Sequence, residues 1–364
     1  MKSILIYSPR EINPSRGGIE RVTNCLASFL IKNGYKIVFL VDEKTSDDEY
    51  TPIAEQYFIS HNKHERKKQV LNLIIKYNIN IIINQAGFFS IIKKKELPNY
   101  IKVISVIHDS YYAMYKTLPF SKLRLWKWKW VIGRMLKQIY FNSDKVILFS
   151  EKFIPEFQFF FPQVSKNKIE IIPNFNVYET VNIKDKKNIV LFVGRLTRIH
   201  KRVDLLLKIW SLIYKDFPTW KLIIVGSGED KASLEQIARD LKLKNYSFKG
   251  TQNPTPYYQE ASIFCMTSAF ESFGMVLTEA MQHKVVPIAF NSYSTASEII
   301  TTEHDGYLIA PFDLEDYASK LSFLMRNPSR RNEMADNASY SVKKFSIDTI
   351  GIKWLNLIDT LYNE

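Results

Sequence analysis

The sequence has only two cysteines in 364 residues, Cys25 and Cys265, far apart and in apolar settings. They read as reduced core residues, which excludes a small disulfide-stapled scaffold. No window approaches 18 uninterrupted apolar residues, which excludes a spanning helix. The apolar run inside Met1-Lys2-Ser3-Ile4-Leu5-Ile6-Tyr7-Ser8 is too short for a secretion signal, so the expected location is the cytoplasm. No short repeat, low-complexity tract or nucleic-acid-binding motif stands out. Metal-ligand clusters are also missing: His61-Asn62-Lys63-His64 lies in a lysine-rich polar stretch without further ligands and reads as surface.

What is present is an ordinary globular composition, with 46% apolar, 24% charged and 14% aromatic residues. That length implies two domains of roughly 150–200 residues. The formal charge of +13 is uneven: residues 1–176 hold 27 Lys and Arg against 15 Asp and Glu, and the remainder 23 against 22. A basic first half facing a lipid, phosphate or nucleic-acid surface would explain this.

Short apolar runs alternate with helical periodicity. Strands are expected at Ile4–Tyr7, Lys36–Val41, Ile79–Asn84, Lys102–Ile107 and Lys145–Phe149, with a helix over Ile19–Lys32. The pattern restarts after a polar linker, 177–187, with strands at Ile189–Val193, Lys221–Val225 and Ser247–Lys249 and helices over Arg202–Phe217 and Asp230–Leu241. This predicts two doubly wound α/β units with parallel sheets. The run Ile347–Tyr362 has apolar residues at helical spacing and reads as a packing helix.

Two segments carry chemistry. Val193-Gly194-Arg195-Leu196 ends a strand, with Lys201 at the start of the next helix. A glycine admits close approach of a ligand, a helix N-terminus favours an anion, and Arg195 and Lys201 suit a diphosphate. The second segment runs from Ser268 to Met281, with Glu271 and Glu279 on either side of Gly274 at a loop-to-helix transition. Amides of Gly274, Met275 and Val276 at the helix start are donors, and the carboxylates can accept hydrogen bonds from hydroxyls.

Together these segments, with Pro287-Ile288-Ala289, Ser297-Glu298-Ile299-Ile300 and Asp305-Gly306-Tyr307-Leu308 in order, resemble the donor domain of the GT-B retaining glycosyltransferases of family 4. In the first half, Gly17-Gly18-Ile19-Glu20 resembles the family's glycine loop, His108-Asp109 the place of its histidine near the donor sugar, and Pro173-Asn174 its interdomain segment. The resemblance implies a GT-B fold, two Rossmann-like domains facing across a cleft. Residues 1–176 would bind the acceptor and 188–345 the nucleotide-sugar donor, with helix 346–364 packing back on the first domain. It implies donor contacts from Gly18, Arg195, Lys201, Gly274, Met275, Val276 and Glu279, and catalytic roles for His108, Asp109 and Glu271. One departure is local: where the family has a glycine pair before Glu-Ile-Ile, this chain has Tyr293-Ser294-Thr295-Ala296.

The expected reaction is transfer, with retention, of a hexose or N-acetylhexosamine from a UDP-sugar rather than a GDP-sugar to a lipid-linked or polysaccharide-precursor acceptor. No cofactor or metal is expected, since the chain lacks the Asp-x-Asp triplet that metal-dependent sugar transferases of the other main fold use. A GT-B nucleotide-sugar epimerase is the rival enzyme, and a basic nucleic-acid-binding protein the rival from another class. Finally, Ser121–Gln138 carries six basic residues and no acidic one. Helical spacing puts Leu125, Trp128, Ile132, Met135, Leu136 and Ile139 on one face, and Trp126 and Trp130 among Lys127, Arg134 and Lys137 on the other. Tryptophan with basic residues suits an anionic headgroup layer, so peripheral contact with the inner face of the plasma membrane is expected.

Overall fold

The computed structural model describes residues 2–14, 17–43, 50–176 and 181–364; the start of the expected linker, 177–180, lies outside the described residues. The chain forms two compact units. One comprises residues 1–109, 120–177 and 346–364, the other 110–119 and 178–345. The short helix Tyr111–Thr117 therefore belongs to the second unit although its sequence position lies within the first.

The first unit is built on strands β1 (Ser3–Arg10), β2 (Lys36–Glu43), β3 (Glu55–Phe58), β4 (Ile79–Asn84), β5 (Lys102–Val106), β6 (Lys145–Leu148) and β7 (Ile169–Ile171). They pair in the order β3-β2-β1-β4-β5-β6-β7, every pairing parallel. Ile4, Leu5 and Ile6 are fully buried, as a strand covered on both faces requires. Strands β3 and β7 have no apolar run in the sequence. At four and three residues, they take their place from sheet pairing rather than composition.

Helix Ile347–Asn363 closes this unit. A Cβ at Gly351 would lie 2.5 Å from the Phe29 ring, so the glycine allows the helix to meet Gly18–Lys32 closely. Lys2 Nζ lies 2.5 Å from Asp359, and the Tyr362 hydroxyl donates to Ser3 O at 2.9 Å.

The second unit holds β8 (Ile189–Val193), β9 (Lys221–Val225), β10 (Tyr246–Phe248), β11 (Ile263–Met266), β12 (Val286–Phe290) and β13 (Tyr307–Ile309), in the order β10-β9-β8-β11-β12-β13. Trp210 and Tyr317 are fully buried in its core. The Tyr317 hydroxyl donates to Ile288 O at 2.7 Å and accepts from Met266 N at 3.1 Å, which fixes β11 against β12. In both sheets the strand order reverses beside the first strand, at β1/β4 and β8/β11. Ligands of such sheets bind beyond the carboxyl ends at that switch point.

Candidate active site

In the second unit, the segments after β8 and β11 are the two that sequence reasoning singled out. Gly194 follows β8 with φ +157°, and its amide donates to Val225 O at 3.0 Å. The loop after β9 presses against it: a Cβ at Gly226 would come within 2.0 Å of Gly194 O, and one at Gly228 within 2.4 Å of Leu196 O. Only glycine permits this crossing, so Gly226 and Gly228 join the site as supports that the sequence reading missed.

The loop 197–201 is tied to the loop after β11. Thr197 Oγ1 accepts from Lys201 N at 2.9 Å, Thr267 Oγ1 donates to Lys201 O at 3.0 Å, and Ala269 N donates to His200 O at 2.7 Å. This brings Lys201 Nζ to 2.5 Å from Glu271 Oε1, with both side chains largely buried. His200 stacks flat on Phe270 (4.5 Å, 4°) and sets Nε2 3.5 Å from the same carboxylate oxygen. Burial alone would raise the Glu271 carboxyl; Lys201 and His200 outweigh it and hold it at about 2. Glu271 is therefore ionised at neutral pH. Arg195 points outward, 73% exposed, with Glu229 3.7 Å from its guanidinium.

Helix Met275–Gln282 starts at Gly274, whose φ of +94° is a left-handed conformation suited to glycine. No side chain caps this helix start, so the amides of Met275 and Val276 stand where a ligand anion would be held. Glu279 is 1% exposed and accepts a hydrogen bond from Tyr258, fully buried, at 3.1 Å. His283 stacks on Tyr258 (5.4 Å, 24°) and pairs through Nδ1 with Glu279 O at 2.8 Å. Behind them, Lys186 Nζ donates to the carbonyls of Tyr258 (3.0 Å), Gln259 (3.1 Å) and His283 (2.6 Å). Burial, with Lys284 adding to it, lowers that ammonium to about 8. Nothing in the spacing of Lys186 or Tyr258 signals these contacts; the fold alone brings Tyr258 to Glu279 and Lys186 to the carbonyls of Tyr258 and His283.

The segment that departs from the glycine pair has a visible job. Ser292 Oγ donates to Ser268 O at 2.7 Å, and Thr295 Oγ1 reaches the carbonyls of Ser272 (3.3 Å) and Phe273 (3.1 Å). The buried Tyr293 hydroxyl bonds Met266 Sδ at 3.4 Å, beside Gly274. Side-chain hydrogen bonds thus lace this segment to the Glu271 loop.

In the first unit, His108 follows β5 and Asp109 is exposed. His108 Nε2 lies 2.5 Å from Gln85 Oε1 and its ring tilts against Phe149. Burial lowers the imidazole to about 4, so it is neutral at pH 7. Gly18 opens the helix Gly18–Lys32, and a side chain there would meet nothing within 4 Å. The His61–His64 pair belongs to a helix start, where Asn62 accepts from His64 N at 3.0 Å. Among the described residues no three His, Cys, Asp or Glu side chains converge as metal ligands.

Helix Lys122–Asn142 buries Ile132, Leu136 and Tyr140 and leaves Trp126 67% and Trp130 54% exposed. Lys127 is exposed, and the Arg134 guanidinium stacks over the Trp130 ring at 4.8 Å. A shallow groove of about 350 Å³ runs along this face, between the two tryptophans and Phe160-Phe161. Among the described residues, no helix is long and apolar enough to cross a membrane.

Two doubly wound parallel units with a cationic, glycine-lined switch point define the GT-B class of fold. The family model of the glycosyl transferases group 1 matches residues 176–340, and that of Glycosyltransferase Family 4 matches residues 16–175. The chain belongs to this glycosyltransferase family and is a transferase enzyme. It is 25% identical over 358 residues to an uncharacterized glycosyltransferase of Haemophilus influenzae, covering 94% of this chain and 97% of that one. It is 31% identical over 179 residues to an undecaprenol-diphosphate-linked GalNAc-oligosaccharide α-1,4-N-acetyl-D-galactosaminyltransferase of Campylobacter jejuni, covering 49% and 50% of the two chains. The fold is also that of a TarM variant of S. aureus solved with fondaparinux, α-GlcNAc-glycerol and UDP, at TM-score 0.78 and 17% identity over the whole of both chains.

Proposed function

We propose that this enzyme transfers a hexose or N-acetylhexosamine, with retention of configuration, from a UDP-sugar to a lipid-linked or polysaccharide-precursor saccharide. The observation that carries the reading is the Lys201–Glu271 pair at the β8/β11 switch point, next to the uncapped helix start at Gly274. Lys201, Arg195 and the amides of 274–276 supply positive potential for a departing diphosphate, so no metal is required. Glu271, ionised and held by an ammonium, is a weak nucleophile but a strong hydrogen-bond acceptor for sugar hydroxyls. In front-face attack the leaving phosphate oxygen takes the acceptor's proton, and no side chain need bond to the sugar. Neutral His108 can polarise a hydroxyl without adding charge, and Glu279 is placed to accept from a ribose diol.

The UDP preference draws support from the TarM complex, and the lipid-linked acceptor from the activity of the Campylobacter relative. The tryptophan-and-arginine face of helix Lys122–Asn142 supports peripheral contact with an anionic leaflet, which would keep the enzyme at the inner membrane face. The test is release of UDP from UDP-sugars with and without saccharide acceptors. Acceptor-dependent release that survives EDTA is expected. Release requiring manganese or magnesium would overturn the metal-independent reading, and interconversion of the donor sugar without transfer would favour an epimerase.

A further inference from the structure

At the end of helix Met275–Gln282 opposite Gly274, the second unit encloses the ammonium of Lys186. The backbone beside it is anchored: Lys187 N donates to Glu260 O at 2.8 Å, and Ser262 Oγ donates to Lys187 O at 2.6 Å. From this fixed start the Lys186 side chain turns inward and donates to three carbonyls, those of Tyr258, Gln259 and His283. Two of them lie in the last turn of helix Thr255–Glu260, and the third follows helix Met275–Gln282 directly. Last-turn carbonyls have no partner within their own helix. One ammonium therefore satisfies the ends of two helices and fixes their separation.

That separation decides where Glu279 is held. With the two ends joined, the rings of Tyr258 and His283 stack, and the Tyr258 hydroxyl reaches Glu279 Oε2 at 3.1 Å. The clamp stands at the opposite end of the helix from the Gly274 amides, ~12 Å away over eight residues. It cannot touch a phosphate held there, so what it contributes is position. We propose that Lys186 is a positioning residue of the transfer reaction: by clamping the two helix ends it holds Tyr258 against Glu279 and so sets the carboxylate that meets the donor's ribose. The ammonium is kept at a cost, since burial first and Lys284 second lower it to about 8. The other groups facing it are accounted for: Lys284 pairs with Asp336 at 2.6 Å, Glu260 pairs with Lys187 at 2.8 Å, and His283, lowered by burial, is neutral.

This role rests on the reading that Glu279 binds the ribose, which Glu279→Gln tests by itself. Donor KM and kcat, from acceptor-dependent UDP release at saturating acceptor, report on both. Lys186→Met should raise the donor KM several-fold while kcat holds. Adding it to Glu279→Gln should make that variant no worse, since one residue acts through the other. The pH profile separates position from stability. Between about pH 7 and about pH 9 the wild-type ammonium loses its proton, so its donor KM should rise several-fold. Lys186→Arg stays charged and should hold its KM over that range, whereas Lys186→Met should be flat at the raised value. Stability moves the other way: a lysine lowered by folding destabilises the fold while charged, so its share improves as pH rises through about 8 toward the usual 10.5. A lysine that served only the fold would give no alkaline rise in KM. An unchanged KM in Lys186→Met, or an equal alkaline rise in Lys186→Arg, overturns the clamp and leaves the ribose reading standing. An unchanged KM in Glu279→Gln overturns the ribose reading and the clamp's purpose with it, whatever Lys186→Met shows.

Discussion

The two units share a strand order and differ in what they place at its reversal. The second unit, with 23 Lys and Arg against 19 Asp and Glu, puts Lys201 there, with Arg195 close by on the loop after β8, and an ionised Glu271 holding the ammonium. The first unit, with 27 Lys and Arg against 18 Asp and Glu and so most of the net positive charge, puts Glu20 and Asp42 there instead. Net charge of a domain therefore says little about the ligand at its switch point. The first unit's basic residues collect elsewhere, on helix Lys122–Asn142 with its exposed tryptophans. Binding chemistry follows the few groups that are buried and aimed, whereas the long-range field follows the many that are solvated.

The largest effect should come from breaking the Lys201–Glu271 pair from one side. Lys201→Ala leaves a carboxylate with little solvent, which costs on the order of 3 kcal/mol in stability. It also removes a diphosphate contact, so donor affinity should fall roughly tenfold or more. Adding Glu271→Gln should recover most of the melting temperature but not donor affinity, as calorimetry and UDP titration would show. Recovery of both would mean that Lys201 serves the fold and not the donor.

Acid gives the next largest effect. The Glu271 carboxyl sits at about 2 in the folded enzyme against its usual 4.5, so its contribution is present above pH 4.5 and is lost as pH falls from there toward 2. The shift of about two and a half pH units corresponds to roughly 3 kcal/mol. Denaturant unfolding at about pH 6 and about pH 3 should show roughly 2 kcal/mol of that loss in the wild type and not in Glu271→Gln, the remainder going only as pH falls toward 2. Equal acid losses in both would place the pair's stabilisation elsewhere.

On the first unit, the membrane face should respond more weakly. Each basic residue near an anionic leaflet contributes about 1 kcal/mol, so Lys127→Glu combined with Trp126→Ala and Trp130→Ala should lower co-sedimentation with anionic vesicles by tenfold or more, with little binding to neutral vesicles. Unchanged sedimentation would move the contact off this helix.

The sequence shows the site unevenly, for physical reasons. Glycines and charges at strand ends are legible because close approach and anion binding demand particular residue types, which is how Gly194, Lys201, Gly274 and Glu271 stand out. The long apolar strands β1, β4, β8 and β9 are legible because they are buried on both faces. Strands β3 and β7 are not, being too short to carry a pattern. Tyr258, His283 and Lys186 are invisible for another reason: each acts through a contact that exists only once helix Met275–Gln282 lies against its neighbours, and a tyrosine or lysine in a helical stretch has many commoner uses. Glu20 and Asp42 are hidden likewise, since an acid in a first helical turn already has a helix-dipole explanation.

The smallest effect tests whether such hidden residues matter. Tyr258→Phe removes only the hydroxyl that donates to Glu279 Oε2, keeping the ring stacked on His283. If the hydroxyl merely satisfies a buried acceptor, its loss costs about 1 kcal/mol of stability and nothing else. If it orients the Glu279 carboxylate toward a ribose diol, the donor KM should rise several-fold while kcat holds, because ribose contacts are made equally in ground and transition states. Glu279→Gln should raise the same KM further, and the double variant should be no worse than Glu279→Gln alone, since one residue acts through the other. Additive losses in the double variant would show two independent contributions and remove Tyr258 from the donor site. The first unit has the matching case in Tyr7, whose hydroxyl donates to Asp42 at 2.7 Å. Tyr7→Phe should leave the donor KM alone, so the pair of tyrosine variants measures whether each switch point keeps its own carboxylate in place.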